Sequence, residues 1–284
     1  MITETLVLAW FGLCAVMLYS DPRLWIILAS SLVFTAARII VVPVIAAQVK
    51  GYGVLSTSNQ LLWSNTVVSM MHSTLSSLLA IFAIAFDHSF NVDYVNHASY
   101  WEFVTTSVST GVARMNPLNR NASNAVVSPG YFAYDLWDFM LNRLYIKAPG
   151  IVAHHVVILI CYISALTKTV GVPLLSLALI CELHSAFMHL RKLMSMSGYS
   201  LATSSSYSLV WTLQWVTFLV ARALPHAAVT YLTYTGRVLF TSPWYFAMAF
   251  GGMVFIDALN VQLFFQVQGA YRKDRRPGAT KKLS

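Results

Sequence analysis

Apolar residues run through this chain in long blocks separated by short polar breaks, with no sustained alternation of period two. Stretches at 5–20, 24–47, 61–86, 127–146, 150–168, 171–190, 208–234 and 243–268 each carry few charges. A bilayer-spanning helix needs about 20 largely apolar residues. The pattern therefore predicts an all-α, polytopic transmembrane helix bundle of seven or eight helices. The stretch around Tyr131–Leu144 is the least apolar of the set. Cleavage of the first stretch as a signal peptide is disfavoured, because Leu18-Tyr19-Ser20 lacks the small residues such a site needs. Three segments follow: 1–53 with the N-terminal transmembrane helices, 54–268 as the main transmembrane domain, and 269–284 as a basic tail.

Composition agrees with this reading. Hydrophobic residues make up 57% of the 284 and charged residues 10%, against about 25% charged in soluble domains. A soluble globular protein, a disordered segment and a secreted disulfide scaffold all disagree with this composition. Cys14, Cys161 and Cys181 lie singly within apolar runs. The formal charge of +8 does not point to nucleic acid, because six of the eighteen basic residues fall within 272–284. A basic tail after an apolar helix suits a membrane surface.

Basic residues also orient the chain. With the C-terminus in the cytosol, eleven basic residues are cytosolic and five lie opposite, while Arg38 and Arg222 stay within spans. The 87–126 loop then faces the lumen or exterior, with Asp87, Asp93, Glu102 and a glycosylation sequon at Asn121. Lys281 and Lys282, fourth and third from the end, form a dilysine pattern of the kind that retrieves proteins to the endoplasmic reticulum.

Ionisable side chains at bilayer depth are costly and mark candidate functional positions. Tyr131, Asp135, Asp138 and Asn142 recur at offsets of four, three and four, which places them on one helix face. Bonding of the two aspartates to backbone or to Arg143 is the structural alternative. The next span opens with His154-His155. The one after it holds Glu182, Ser185 and His189 on a shared face, with His184 pointing elsewhere. Glu182 lies mid-span and must be protonated or paired, with a histidine or Arg222 as the expected partner. Arg222 and His226 flank Pro225, where carbonyls freed by a kink would satisfy both. Asp257 and Asn260 lie on the last span. His72, among Ser, Thr and Met, reads as a satisfied bundle residue. The histidines lack di-iron histidine boxes and an H-E-x-x-H motif, so neither a metal nor another cofactor is expected.

Three blocks carry a family resemblance. Gly130-Tyr131-Phe132-Ala133-Tyr134-Asp135-Leu136-Trp137-Asp138, His154-His155-Val156-Val157-Ile158, and Cys181-Glu182-Leu183-His184-Ser185-Ala186-Phe187-Met188-His189-Leu190-Arg191-Lys192 stand in that order inside spans. Together they resemble the TLC-domain family from about Val54 to Gln268, and within it the branch of TLC domain-containing proteins 1 and 2. The resemblance implies a helix bundle acting in lipid biology. In the ceramide synthase branch a double histidine works with a later H-D-x-x-D motif in acyl transfer from acyl-CoA. This chain keeps His154-His155 but has Glu182-Leu183-His184-Ser185 near the place of that motif.

The resemblance therefore implies a regulator of membrane phospholipid composition and fluidity that limits incorporation of polyunsaturated acyl chains. Two alternatives stand beside it: an acyl-CoA-dependent acyltransferase of the ceramide-synthase type, and an endoplasmic-reticulum cargo or assembly factor. His154, His155 and Glu182 are the candidate catalytic group. Asp135, Asp138, His184, Ser185 and His189 are candidate lipid-binding residues. The expected partners are membrane phospholipids or acyl-CoA. The expected compartment is the plasma membrane by resemblance, or the endoplasmic reticulum from the tail.

Overall fold

The computed structural model describes residues 25–49, 51–86, 93–99, 101–102, 105–106, 131–146 and 149–276. Every regular element among the described residues is helical. Seven long helices follow one another: α1 (Trp25–Gln48), α2 (Thr57–Phe86), α3 (Tyr131–Leu141), α4 (Pro149–Lys168), α5 (Val172–Met196), α6 (205–235) and α7 (Pro243–Asp274). They coincide within a few residues with the predicted spans from 24–47 onward. The first predicted stretch, 5–20, lies outside the described residues. By length and apolarity, α2, α5 and α7 are each sufficient to cross a membrane. The helical membrane bundle predicted from the sequence is thus observed.

Helix α2 runs along α5 at the centre, because its buried face is small. Ser69, Ser73, Ser76, Ala80 and Ala83 recur every three or four residues, with Ser77 beside them, and let the two backbones approach closely. Several α2 hydroxyls bond to the carbonyl one turn back, as Ser69 Oγ does to Asn65 O at 3.0 Å, so they bury without an unmet polar group. Around this pair, α1 packs on α3, α3 on α4, α4 on α7, and α7 on α6, which closes against α5.

Local chemistry shapes two of these helices. Gly171, at φ 75°, makes the left-handed turn from which α5 starts, with Pro173 in its first turn. In α6, Pro225 cannot donate to the carbonyl of Ala221. The helix widens there into a π-helical stretch, Phe218–Ala223, between Ser205–Thr217 and Leu224–Thr235.

Part of the loop predicted at 87–126 is structured and packed against the bundle. Ser99 and Glu102 form a reciprocal capping box: Ser99 N–H donates to Glu102 Oε2 at 3.0 Å and Glu102 N–H to Ser99 Oγ at 3.1 Å. Glu102, expected in an exposed loop, is 0% exposed. Its carbonyl accepts from Ser176 on α5 at 3.1 Å. Val95 is buried beside Leu174, Phe240 and Met253. Its carbonyl accepts the Gly171 N–H at 2.6 Å.

Candidate functional site

The carboxylates of α3 sit in a buried polar knot built by four helices. Asn65 on α2 donates through Nδ2 to Asp135 Oδ1 and to Asp138 Oδ2, each at 2.9 Å. Arg38 on α1 forms an ion pair with Asp138. Asn142 donates to Asp138 Oδ1 at 2.7 Å, which agrees with the helical spacing read from the sequence. The side chain of Tyr131 lies outside the described residues. Arg143 is exposed at a turn with φ 54°, so the cation that meets Asp138 is Arg38 and not Arg143.

Adjacent positions on a helix point about 100° apart, and the double histidine divides accordingly. His155 turns towards α3. Its Nδ1 is 2.9 Å from Ile151 O and its Nε2 3.3 Å from Asp135 Oδ2, so both ring nitrogens are engaged. His154 turns away from the knot. Among the described residues neither of its ring nitrogens has a hydrogen-bond partner, and its ring meets that of His155 edge to face at 5.4 Å.

Glu182 pairs differently from expectation. Its Oε2 accepts the hydroxyl of Ser73 on α2 at 2.6 Å, and the Cys181 thiol stands 3.9 Å from Oε1. Neither a histidine nor Arg222 forms an ion pair with it among the described residues. Arg222 instead reaches outward from the π-helical stretch to α5 and α7. It donates from Nε to His184 Nδ1 at 2.9 Å, from Nη1 to Asn260 Oδ1 at 3.0 Å and from Nη2 to Ser185 Oγ at 2.6 Å. Its nearest backbone acceptor is Cys181 O on α5 at 3.4 Å, not a carbonyl freed in its own helix. His184, read as pointing away from Ser185, thus shares a partner with it, because one guanidinium spans both. His226 Nδ1 lies 2.7 Å from Asn260 Nδ2, and Asp257 accepts from Thr230 at 2.7 Å. His189 is half-buried on the same helix as Glu182. His72 is fully buried with Ser76 Oγ at 3.2 Å from Nδ1, the satisfied bundle residue expected.

A thin cleft, with a volume of only about 80 Å³ open to the centre of a water-sized sphere, runs between α4, α5, α6 and α7. Its walls are almost wholly apolar, among them Val157, Ile158, Leu174, Ala178, Ala249 and Met253. One end carries His154, Glu182 and His226, and the other carries Lys168, beside the 93–99 segment. Of the predicted catalytic group, His154 and Glu182 line the cleft, whereas His155 stands behind it in the α3 knot. Asp135, Asp138, His184, Ser185 and His189 do not line it. Nothing in the residue pattern singled out Arg38, Asn65 and Ser73 as the partners of the carboxylates. Among the described residues no three His, Cys, Asp or Glu side chains are grouped to hold a metal ion. Asn121 lies outside the described residues.

Comparison with known proteins agrees with the architecture. The family model of the TLC domain matches residues 62–267. TLC domain-containing protein 2 of Danio rerio is 27% identical over 209 residues, 72% of this chain and 74% of the relative. Its counterpart in Homo sapiens is 28% identical over 183 residues, 59% of this chain and 62% of the relative. That of Mus musculus is 28% identical over 142 residues, 50% of this chain and 40% of the relative. No solved structure matches the chain. The match reaches from the polar face of α2 through the double histidine to the last turns of α7, so it takes in every wall of the cleft, and the chain belongs to the TLC domain family.

Proposed function

We propose that this chain regulates membrane phospholipid composition and fluidity by limiting the incorporation of polyunsaturated acyl chains. The observation that carries this reading is the apolar cleft with His154, Glu182 and His226 among its lining residues. Burial against aliphatic walls favours an acyl chain, and the polar end suits an ester, thioester or headgroup. A thin cleft accepts a straight saturated chain more readily than one bent by several cis double bonds. Membrane phospholipids or acyl-CoA are the proposed ligands, with the plasma membrane as the compartment and the dilysine tail as the argument for the endoplasmic reticulum.

The test is a lipid profile of cells with and without the protein under palmitate load. Loss should raise polyunsaturated chains in phosphatidylethanolamine, make membranes more fluid and leave total ceramide nearly unchanged. A collapse of one ceramide chain-length class with unaltered phospholipids would overturn the reading.

One observation favours a second reading, acyl transfer. His154 lines the cleft with both ring nitrogens unbonded among the described residues, in company with Glu182. Such a histidine can take the proton from an attacking hydroxyl or amine and return it to a departing thiolate. Turnover of acyl-CoA by the purified protein separates this reading from the first.

A further inference from the structure

The last turns of α7 outrun the apolar layer. Its 32 residues extend about 48 Å at 1.5 Å per residue, against about 30 Å of hydrocarbon in a bilayer. Its C-terminal end therefore emerges among lipid headgroups. There an open recess is lined by Trp215 from α6, by Phe264, Gln268, Tyr271 and Arg272 from α7, and by Arg275, which caps it. Positions 264, 268, 271, 272 and 275, at offsets of four, three, one and three, fall on one side of the helix. The Trp215 ring lies edge-on to Phe264 at 5.8 Å and to Tyr271 at 6.3 Å, and the Arg275 guanidinium stands 5.7 Å from the Tyr271 ring centre.

Among the described residues the charge in this recess is uncompensated. Both arginines are exposed, and among the described residues neither side chain has a hydrogen-bond or ion-pair partner. The acid beside them, Asp274, is turned into the bundle, where it accepts from Tyr207 Oη at 2.6 Å and Trp211 Nε1 at 3.3 Å. Residues 277–284 contain no Asp or Glu.

We infer that this recess binds the headgroup phosphate of an anionic phospholipid in the adjoining leaflet, at a place separate from the cleft. Arg272 and Arg275 are one turn apart and line the same recess, a spacing at which both guanidinium forks can reach one phosphate. The aromatic rings cover the glycerol region at the depth where Trp and Tyr collect in membranes. The Gln268 amide stands where it can donate to an ester carbonyl. Basic recesses between helices at a membrane face are suited to such headgroups.

The test uses the full chain, purified in detergent, with bound lipid counted by native mass spectrometry after exposure to phosphatidylserine or phosphatidylcholine. The wild type should retain phosphatidylserine over phosphatidylcholine. The Arg272→Gln/Arg275→Gln variant should lose that retention by about tenfold, the scale of losing charge-assisted contacts. Lys273→Gln/Arg276→Gln, which removes the same charge outside the recess, should retain the lipid as the wild type does. The proposal is overturned if the first variant keeps its phosphatidylserine, or if both variants lose it equally, since tail charge alone would then explain binding. Displacement of the lipid by an equal concentration of inorganic phosphate would also overturn it, because the site would then read free phosphate.

Discussion

The hydroxyl of Ser73 on α2 donates to Oε2 of Glu182 on α5 at 2.6 Å, across the two helices in most extensive contact. Ser73→Ala leaves a buried carboxyl oxygen without its donor and should cost about 1–3 kcal/mol. Glu182→Gln keeps the shape and an acceptor oxygen, so it should melt closer to wild type. Under the proposed function it should nevertheless abolish the effect on phospholipid chains. Thermal melting of the purified variants and the palmitate lipid profile check the two halves. An unchanged profile for Glu182→Gln together with His154→Ala would remove the cleft's polar end from the mechanism.

The Arg38–Asp138 pair joins α1 to α3 in the interior. Removing one member leaves an uncompensated charge, and Arg38→Met alone should destabilise by about 3–5 kcal/mol. Arg38→Met/Asp138→Asn should melt above that single variant, because the neutral amide removes the orphan charge and keeps an acceptor oxygen for the neighbouring asparagines. A double-mutant cycle in melting temperature tests this, and strict additivity would contradict the pairing.

Occupancy of the cleft can be tested without touching its polar end. Ala249 is on the wall, and Ala249→Phe should fill it at about 1–3 kcal/mol of overpacking. Cells carrying this variant should show the lipid profile of cells lacking the protein, at near-normal expression. Val261 on the same helix is 59% exposed and faces outward, so Val261→Phe should leave the profile unchanged.

The 93–99 segment should loosen in acid. Burial pushes the Asp93 carboxyl upward, but the N–H groups of Asn96 and Val95 and the Asn96 amide outweigh it and hold its pKa below the ordinary 3.8. A carboxyl depressed in the folded state stabilises fully above its unfolded pKa and loses that contribution as pH falls through the folded value. Protection of the Gly171 amide, which bonds Val95 O, should therefore hold above about pH 4 and decline below it. Hydrogen exchange corrected for intrinsic rates measures this, and Asp93→Asn should remove the pH dependence.

Orientation has its own test. The excess of basic residues at the C-terminal end implies that an epitope after Ser284 is labelled only in permeabilised cells. Labelling of intact cells would reverse the topology.

Helix positions were legible in the sequence because bilayer spanning is a one-dimensional requirement: enough apolar residues in a row, with few charges. The stretches 24–47 and 150–168 correspond to Trp25–Gln48 and Pro149–Lys168 almost residue for residue. The three motif blocks were equally legible as a family pattern. The Ser99-x-x-Glu102 capping box was written there too, but the polar composition of 87–126 obscured it. Partner choice was not legible. Whether Asp138 meets Arg38 or Arg143, and whether Glu182 meets Ser73 or Arg222, depends on the rotation of each helix and on which helix lies beside it. Those are set by packing, through the small face of α2 and the π-helical widening before Pro225. The division of His154 from His155 follows from helical geometry alone, yet only the assembled bundle decides that one side of that helix meets the carboxylates of α3 and the other meets the cleft.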